Sequence, residues 1–281
     1  MTGVWPINER AGGRPVGWKG WPSGKAFAFV LTHDVEGGRG VQRCLRLAKM
    51  EQALNLVSSF NFVPEKYPLS AEVRNELVAN GFEVGVHDLR HDGRLFRSEK
   101  EFLRQVGRIN RYLRSWHAVG FRSGSMYHSL PWMHNMEIEY DSSTFDTDPF
   151  EPQPEGMDTV FPLWVPREHG DGGYVELPYT LPQDMTLFVI LRHRDSRFWK
   201  DKVEWIVERG GMVLLISHPD YMHWSGDRRR IDEYEAGLYE DFLRYIEEKY
   251  RDRYWNALPM QVARYWKGCM AGPQATRYDL R

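Results

Sequence analysis

Two histidines four residues apart, His87 and His91, and two carboxylates two residues apart, Asp34 and Glu36, are the side chains of this 281-residue chain best suited to hold a divalent ion. On one helical turn or in a tight loop both imidazoles reach a single point, and one carboxylate completes a two-histidine, one-carboxylate set that leaves a position for water. Asp34 and Glu36 both qualify, because in extended backbone residues two apart point the same way; they can then divide the roles of base and ligand. Hydrolysis at such a centre also needs an acid to protonate the leaving group. His218 is the natural acid, and Arg122 is suited to keep Asp34 ionised and oriented, since a neighbouring guanidinium favours the charged carboxylate. Singly, each has an ordinary structural alternative: unrelated histidines, a plain ion pair, a core imidazole. A zinc-protease helix is excluded, because that chemistry needs Glu directly after the first His, and Asp88 stands there.

These residues gain weight from the elements that must carry them. Ala26–Leu31 is an apolar run of strand length that leads into Asp34, Glu36 and then Gly37-Gly38-Arg39-Gly40. A buried parallel strand delivers charged groups to the rim of a sheet in this way. A helical pattern over about 41–56 follows, then a strand at 56–63, a helix opened by Ser70 and closed by Asn80-Gly81, and a strand at 82–86 that runs into His87. A helix over 99–113 leads to a strand at 117–121 ending in Arg122-Ser123-Gly124-Ser125. Further on are a short helical piece at 130–136, a short strand with a polar exit at 138–146, and loops with short strands, 174–177 among them, over 148–183. A helix at 196–209, a buried strand at 212–216 ending in Ser217-His218, and helices at 231–250 and 259–267 complete the pattern. Alternating strands and amphipathic helices predict a parallel sheet with helical crossovers, in which five strand exits converge on one pocket.

Composition limits the alternatives. With 42% hydrophobic and 27% charged residues the chain reads as a globular protein without a membrane-spanning run, and its size suits one α/β domain. A net charge of −2 gives no electrostatic footprint for nucleic acid, and Arg228-Arg229-Arg230 reads as a solvated turn. Cys44 and Cys269 have no metal or redox spacing and read as free thiols; with no secretory signal pattern at residues 1–6, the cytoplasm is the expected location. Residues 1–24, rich in Gly and Pro between Trp5, Trp18 and Trp21, read as an irregular arm ahead of a single domain at 25–281. Most of the 11 tryptophans belong to the core, while Trp224 is among those whose loop position suits stacking on a sugar ring.

Taken in order, Thr32-His33-Asp34, His87-x-x-x-His91, Phe121-Arg122-Ser123-Gly124, Tyr140-Asp141-Ser142-Ser143 and Ile216-Ser217-His218-Pro219 make the chain resemble the polysaccharide deacetylase family. This is the NodB-homology fold, carbohydrate esterase family four, and the match spans residues 26–220. The resemblance implies an α/β fold, a distorted (β/α) barrel of about seven parallel strands, holding a divalent ion, usually zinc. It implies a hydrolase that removes N-acetyl groups from a carbohydrate or amino-sugar substrate by cleaving a non-peptide amide. Asp34 is implied as base, His218 as acid, Arg122 as the residue orienting the base, His87 and His91 as metal ligands, and backbone N–H near Ser125 or Met126 as oxyanion donor. The family's adjacent aspartates are replaced by Asp34-Val35-Glu36, so Glu36 is the implied metal carboxylate, with Asp34 as the alternative. The arginine motif lacks the family's prolines and the fourth motif its tryptophan. Those changes bear on the substrate, and Asp141 and Asp146 enter as secondary substrate-binding residues beside Ser125 and Trp224. Two other functions fit the same residues: hydrolysis of a non-sugar linear or cyclic amide, and non-catalytic glycan binding at a degenerate site. The sequence leaves the oligomeric state open.

Overall fold

The computed structural model describes residues 5–270, apart from 170, 225 and 227. In chain order the strands are β1 (Phe27–Val35), β2 (Ser58–Phe62), β3 (Glu83–His87), β4 (Gly120–Arg122), β5 (Tyr140–Asp141), β6 (Leu163–Pro166), β7 (Gly173–Glu176), β8 (Met212–Ser217), β9 (Met222–His223), β10 (Tyr234–Glu235) and β11 (Tyr254–Asn256). The helices are α1 (Gly38–Gln52), α2 (Ala71–Ala79), α3 (Glu99–Trp116), α4 (Leu130–Met133), α5 (Arg197–Arg209), α6 (Gly237–Tyr250) and α7 (Pro259–Met270).

The central strand is β1, buried along its whole length, which is why its first part, Phe27–Leu31, is continuously apolar rather than alternating before Thr32, His33 and Asp34 follow. One flank pairs with β8; the other pairs first with β11 through Phe27–Phe29 and then with β2 through Leu31–Val35. Asn256 splices the two partners, its Nδ2 donating to the carbonyls of Phe29 and Val57 while its Oδ1 accepts from Val57 N–H. The sheet continues β2, β3, β4, β5, β7, all parallel, and ends at β6, which is antiparallel to β7.

The arc from β5 back to β8 is spanned without a regular ladder. Phe145 bridges Tyr179, and Thr180 hydrogen bonds to the Leu214 carbonyl at 3.0 Å. The result is a curled, mostly parallel sheet, a distorted (β/α) barrel.

Phe27, Phe29, Val30 and Leu31 are fully buried in the main core, each worth roughly 1.5–3 kcal/mol of transfer free energy. A second core forms where Phe102, Ile109 and Leu113 of α3 cover Val86 and Phe121. Ser98 caps α3 by accepting from Glu101 N–H, and the helix stops at His117, whose left-handed φ of 53° ends it before β4 begins at Gly120. Helix α6 starts at Gly237 rather than 231, because Tyr234–Glu235 is drawn into a parallel pair with β9. Among the described residues no helix is long and apolar enough to cross a membrane. Cys44 is a buried free thiol and Cys269 an exposed one.

Candidate active site

Sheet register aligns the ionisable groups. Asp34 lies beside Asn61 of β2, Asn61 beside Gly85 of β3, and His87 at the end of β3 beside Arg122 of β4. Asp34 and Glu36 do point the same way. The Asp34 Oδ2 stands 4.0 Å and the Glu36 Oε1 3.8 Å from His87 Nε2, while the intervening Val35 is packed in the core.

After His87 the chain does not become helical. Asp88 and His91 both adopt left-handed backbone, at φ 54° and 53°, and the tight loop between them folds His91 back. Asp88 holds that loop by accepting from the N–H groups of Leu89 and Gly124. The two imidazole rings then lie 4.9 Å apart, and His91 Nε2 comes within 2.9 Å of Glu36 Oε1. Glycine is required at 124, where a Cβ would sit 2.7 Å from Asp88 Oδ2 and 3.0 Å from the His91 ring.

The residues fit a divalent ion. Ligand atoms of Glu36, His87 and His91 all lie within 4.8 Å of one another. The Nε2 atoms of both histidines are buried and donate to no acceptor among the described residues, and the close polar neighbour they share is the Glu36 carboxylate, 2.9 Å from His91 and 3.8 Å from His87. His87 Nδ1 contacts the Arg122 carbonyl at 3.1 Å; donation there leaves Nε2 as a lone pair aimed at the cluster. Burial opposes the charge on Glu36, yet His87 and His91 outweigh it and hold the carboxyl well below the usual range.

Asp34 is oriented from one side only. Arg122 Nη1 at 3.0 Å and Asn61 Nδ2 at 2.9 Å both donate to Oδ1, which leaves Oδ2 facing the cluster. Burial again favours the neutral acid, but Arg122, then His87 and His218, lower its pKa and keep it a carboxylate. Arg122 is itself immobilised by the Ser142 carbonyl at 2.8 Å, the Ser142 hydroxyl at 2.8 Å and Thr32 Oγ1 at 2.9 Å.

His218 reaches the same point from β8, its Nε2 3.9 Å from Glu36 Oε1. Its Nδ1 is 2.6 Å from Asp184 Oδ1, and Asp184 Oδ2 accepts from His218 N–H and from the Tyr234 hydroxyl, each at 2.8 Å. Burial works against a charged ring, but Asp184, with smaller help from Glu36 and Asp34, pushes its pKa up to about 10.

Among the expected site residues, Asp34, Glu36, His87, His91, Arg122 and His218 meet in one place. Ser125 is exposed in the turn after β4, at φ 53° beside Met126 at 54°, next to the glycine that abuts His91. Asp141 and Asp146 lie elsewhere. Asp141, on β5 itself, is fully buried and takes the Ser143 hydroxyl at 2.7 Å, and Asp146 is fully buried against Lys202 of α5 at 2.8 Å. The wall continues through the Phe145–Tyr179 bridge, and both carboxylates are taken up by these buried partners. The ring of Trp224 is covered by the Arg46 and Arg43 guanidinium groups, 5.3 and 6.0 Å from its centroid.

Four contributors stand outside the motifs. Asn61 is an amide between two phenylalanines of β2, Asp184 lies in a Pro-Gln-Asp segment, and Asp220 fixes the backbone of Glu36 by accepting its N–H at 2.8 Å. Tyr221 adds a hydroxyl to Glu36 Oε2 at 3.0 Å.

The sequence matches no protein-family model and no curated protein. Solved structures do match. A protein from Mycobacterium smegmatis described as a polysaccharide deacetylase has a TM-score of 0.65 at 19% identity, over 91% of this chain and 95% of its own. One from Pseudomonas aeruginosa PAO1, similarly described, has a TM-score of 0.65 at 19% identity, over 88% and 93%. Puue allantoinase has a TM-score of 0.66 at 16% identity, over 88% and 92%. At these identities the likeness establishes architecture, and the chain has the NodB-type fold of the polysaccharide deacetylases.

Proposed function

We propose that the protein is a metal-dependent amide hydrolase that removes an N-acetyl group from an amino-sugar-containing substrate. The observation that carries this reading is the convergence of two buried imidazole nitrogens, His87 and His91 Nε2, on the Glu36 carboxylate, with Asp34 and His218 within 4.0 Å of that cluster. Glu36, His87 and His91 would hold the ion, for which zinc suits the donor set of two nitrogens and one oxygen. A divalent ion there supplies Lewis-acid polarisation of the amide carbonyl and of water.

The chain's own groups do the proton work. Asp34, with Oδ1 occupied by Arg122 and Asn61, takes a proton from the attacking water at Oδ2. His218, held protonated by Asp184, gives the proton at Nε2 to the departing nitrogen as the carbon–nitrogen bond breaks. Water is thereby divided between an acetate and an amine. Backbone N–H near Ser125 and Met126, in a turn of two left-handed residues, is the donor proposed for the developing oxyanion.

The test combines metal content with acetate release from N-acetylated amino sugars. Wild type should carry about one ion per chain, and His87→Ala and Glu36→Ala should lose both metal and activity. Chelation should lower the unfolding temperature of wild type but not of His87→Ala, since a ligand bound only to the native state stabilises it. A wild type that binds no divalent ion when supplied would refute the reading. The comparable likeness to Puue allantoinase supports a second reading, hydrolysis of a non-sugar amide; turnover of small amides or ureides without acetate release would favour it.

A further inference from the structure

Away from the metal cluster, a cavity of about 560 Å³ opens between the segment 188–194 and the segment 229–238. Its floor is apolar and aromatic, made by Phe188, Val189, Tyr234 and Leu238, while Arg192, Arg194, Arg229 and Arg230 stand around it. Ile231, also in its lining, is 88% exposed. The volume lies in the range of small-molecule sites.

The charge around this cavity is not balanced. Of its two carboxylates, Glu235 is paired with Arg229 at 3.5 Å, and Glu233 is engaged from outside the cavity by Arg43 at 2.7 Å and Arg39 at 3.2 Å. Arg230 contacts Asp232 at 3.3 Å. Arg192 and Arg194 are exposed and, among the described residues, have no ion-pair partner. Arg192 is also held in left-handed backbone at φ 57°, two residues past the end of a π-helical turn at Met185–Ile190. Both features are uncommon and recur where a fold shapes a binding site.

We infer that this cavity binds a diphosphate-bearing small molecule with an aromatic or apolar body, of the size of a nucleoside diphosphate. Guanidinium forks match phosphate oxygens in bidentate geometry, and several of them spread over one rim suit a ligand with more than one anionic centre. The floor of Phe188, Tyr234 and Leu238 receives the body. A polymer is disfavoured by the concave shape and by the net charge of −2 over the whole chain. The site is separate from the metal cluster but adjoins it, because the Tyr234 ring that lines the cavity carries the hydroxyl bonded to Asp184, the partner of His218.

Titration calorimetry of the full chain with inorganic pyrophosphate, ADP and UDP tests the inference without relying on turnover. Saturable binding is expected, with the nucleotides tighter than pyrophosphate. The double variant Arg192→Ala/Arg194→Ala should weaken all three by about ten-fold or more, the loss expected for two charge-assisted contacts. Ile231→Ser, a change at an exposed position, should reduce only the advantage of the nucleotides. His87→Ala should bind as wild type does, which separates this cavity from the proposed metal centre. Absence of saturable binding, affinity unchanged in the double arginine variant, or loss of binding in His87→Ala would each overturn it.

Discussion

Asp184 illustrates how one carboxylate sets the chemistry of another group. With Oδ1 on the His218 ring and Oδ2 on His218 N–H and Tyr234, it fixes the imidazole so that Nε2 is the atom presented to the cluster. It also raises the pKa of that ring against the effect of burial. Replacing it with Asn keeps the shape and removes the charge, so the His218 pKa must fall. The acid form is then lost at lower pH. In Asp184→Asn the basic limb of the kcat/KM profile is expected to move acidward by at least one unit, with kcat reduced about ten- to a hundred-fold at the optimum. A profile that keeps its basic limb in place would show that His218 is not the acid. Arg122 and Asn61 do the matching work on Asp34, and Gly85 permits it, since a Cβ at 85 would sit 2.2 Å from the Asn61 amide oxygen.

Strand β1 and helix α1 are joined at the candidate site by Asp220, which accepts from Glu36 N–H at 2.8 Å and Gly40 N–H at 3.0 Å. A Cβ on residue 40 would lie 2.2 Å from the Asp220 Oδ2, a short side chain pinned at both oxygens. Gly40→Ala is therefore expected to cost about 1–3 kcal/mol, as overpacking usually does, and to weaken metal retention by freeing Glu36. Chemical unfolding and metal analysis on the same variant read the two effects, and a variant unchanged in both would show that Asp220 does not hold Glu36. What was legible in the sequence follows the same division. The ends of β1, β3, β4 and β8 could be read because buried parallel strands are continuously apolar and stop abruptly at charge. Hidden from it were bonds between distant segments: Asp184 meets His218 across 34 positions and Asp220 meets Glu36 across 184. The π-helical turn that begins just after Asp184 has no distinctive local signature. Asp141 and Asp146 resembled a polar strand exit, yet the chain stays in the wall beyond β5, so both carboxylates are enclosed.

The barrel as a whole encloses carboxyl groups away from the candidate site, and these shape its response to pH. Glu83 on β3 accepts from the Tyr140 hydroxyl on β5 at 2.7 Å and from Met260 N–H on α7 at 3.0 Å, so it ties two strands to the C-terminal helix. Burial pushes its pKa up to about 7, against a reference of 4.5. Between those values the native state keeps a proton that the unfolded chain has released. The stabilisation is therefore complete below pH 4.5 and lost as pH rises through about 7. Asp146, raised to about 6, acts in the same direction, whereas Asp34 and Glu36 act in the opposite one, because their lowered values make them stabilising as carboxylates and costly to protonate. Comparing wild type with Glu83→Gln isolates the first group. Gln is neutral at every pH; its Oε1 can accept from Met260 N–H while its Nε2 donates to the Tyr140 hydroxyl oxygen, which can accept as well as donate. Relative to wild type, the variant should gain stability between pH 5 and pH 8, by an amount on the order of 2 kcal/mol. Denaturant unfolding at the two pH values measures that difference of differences. An equal offset at both would mean that Glu83 ionises in the native state as readily as in the unfolded chain, so that enclosing it between β3, β5 and α7 does not withhold it from water.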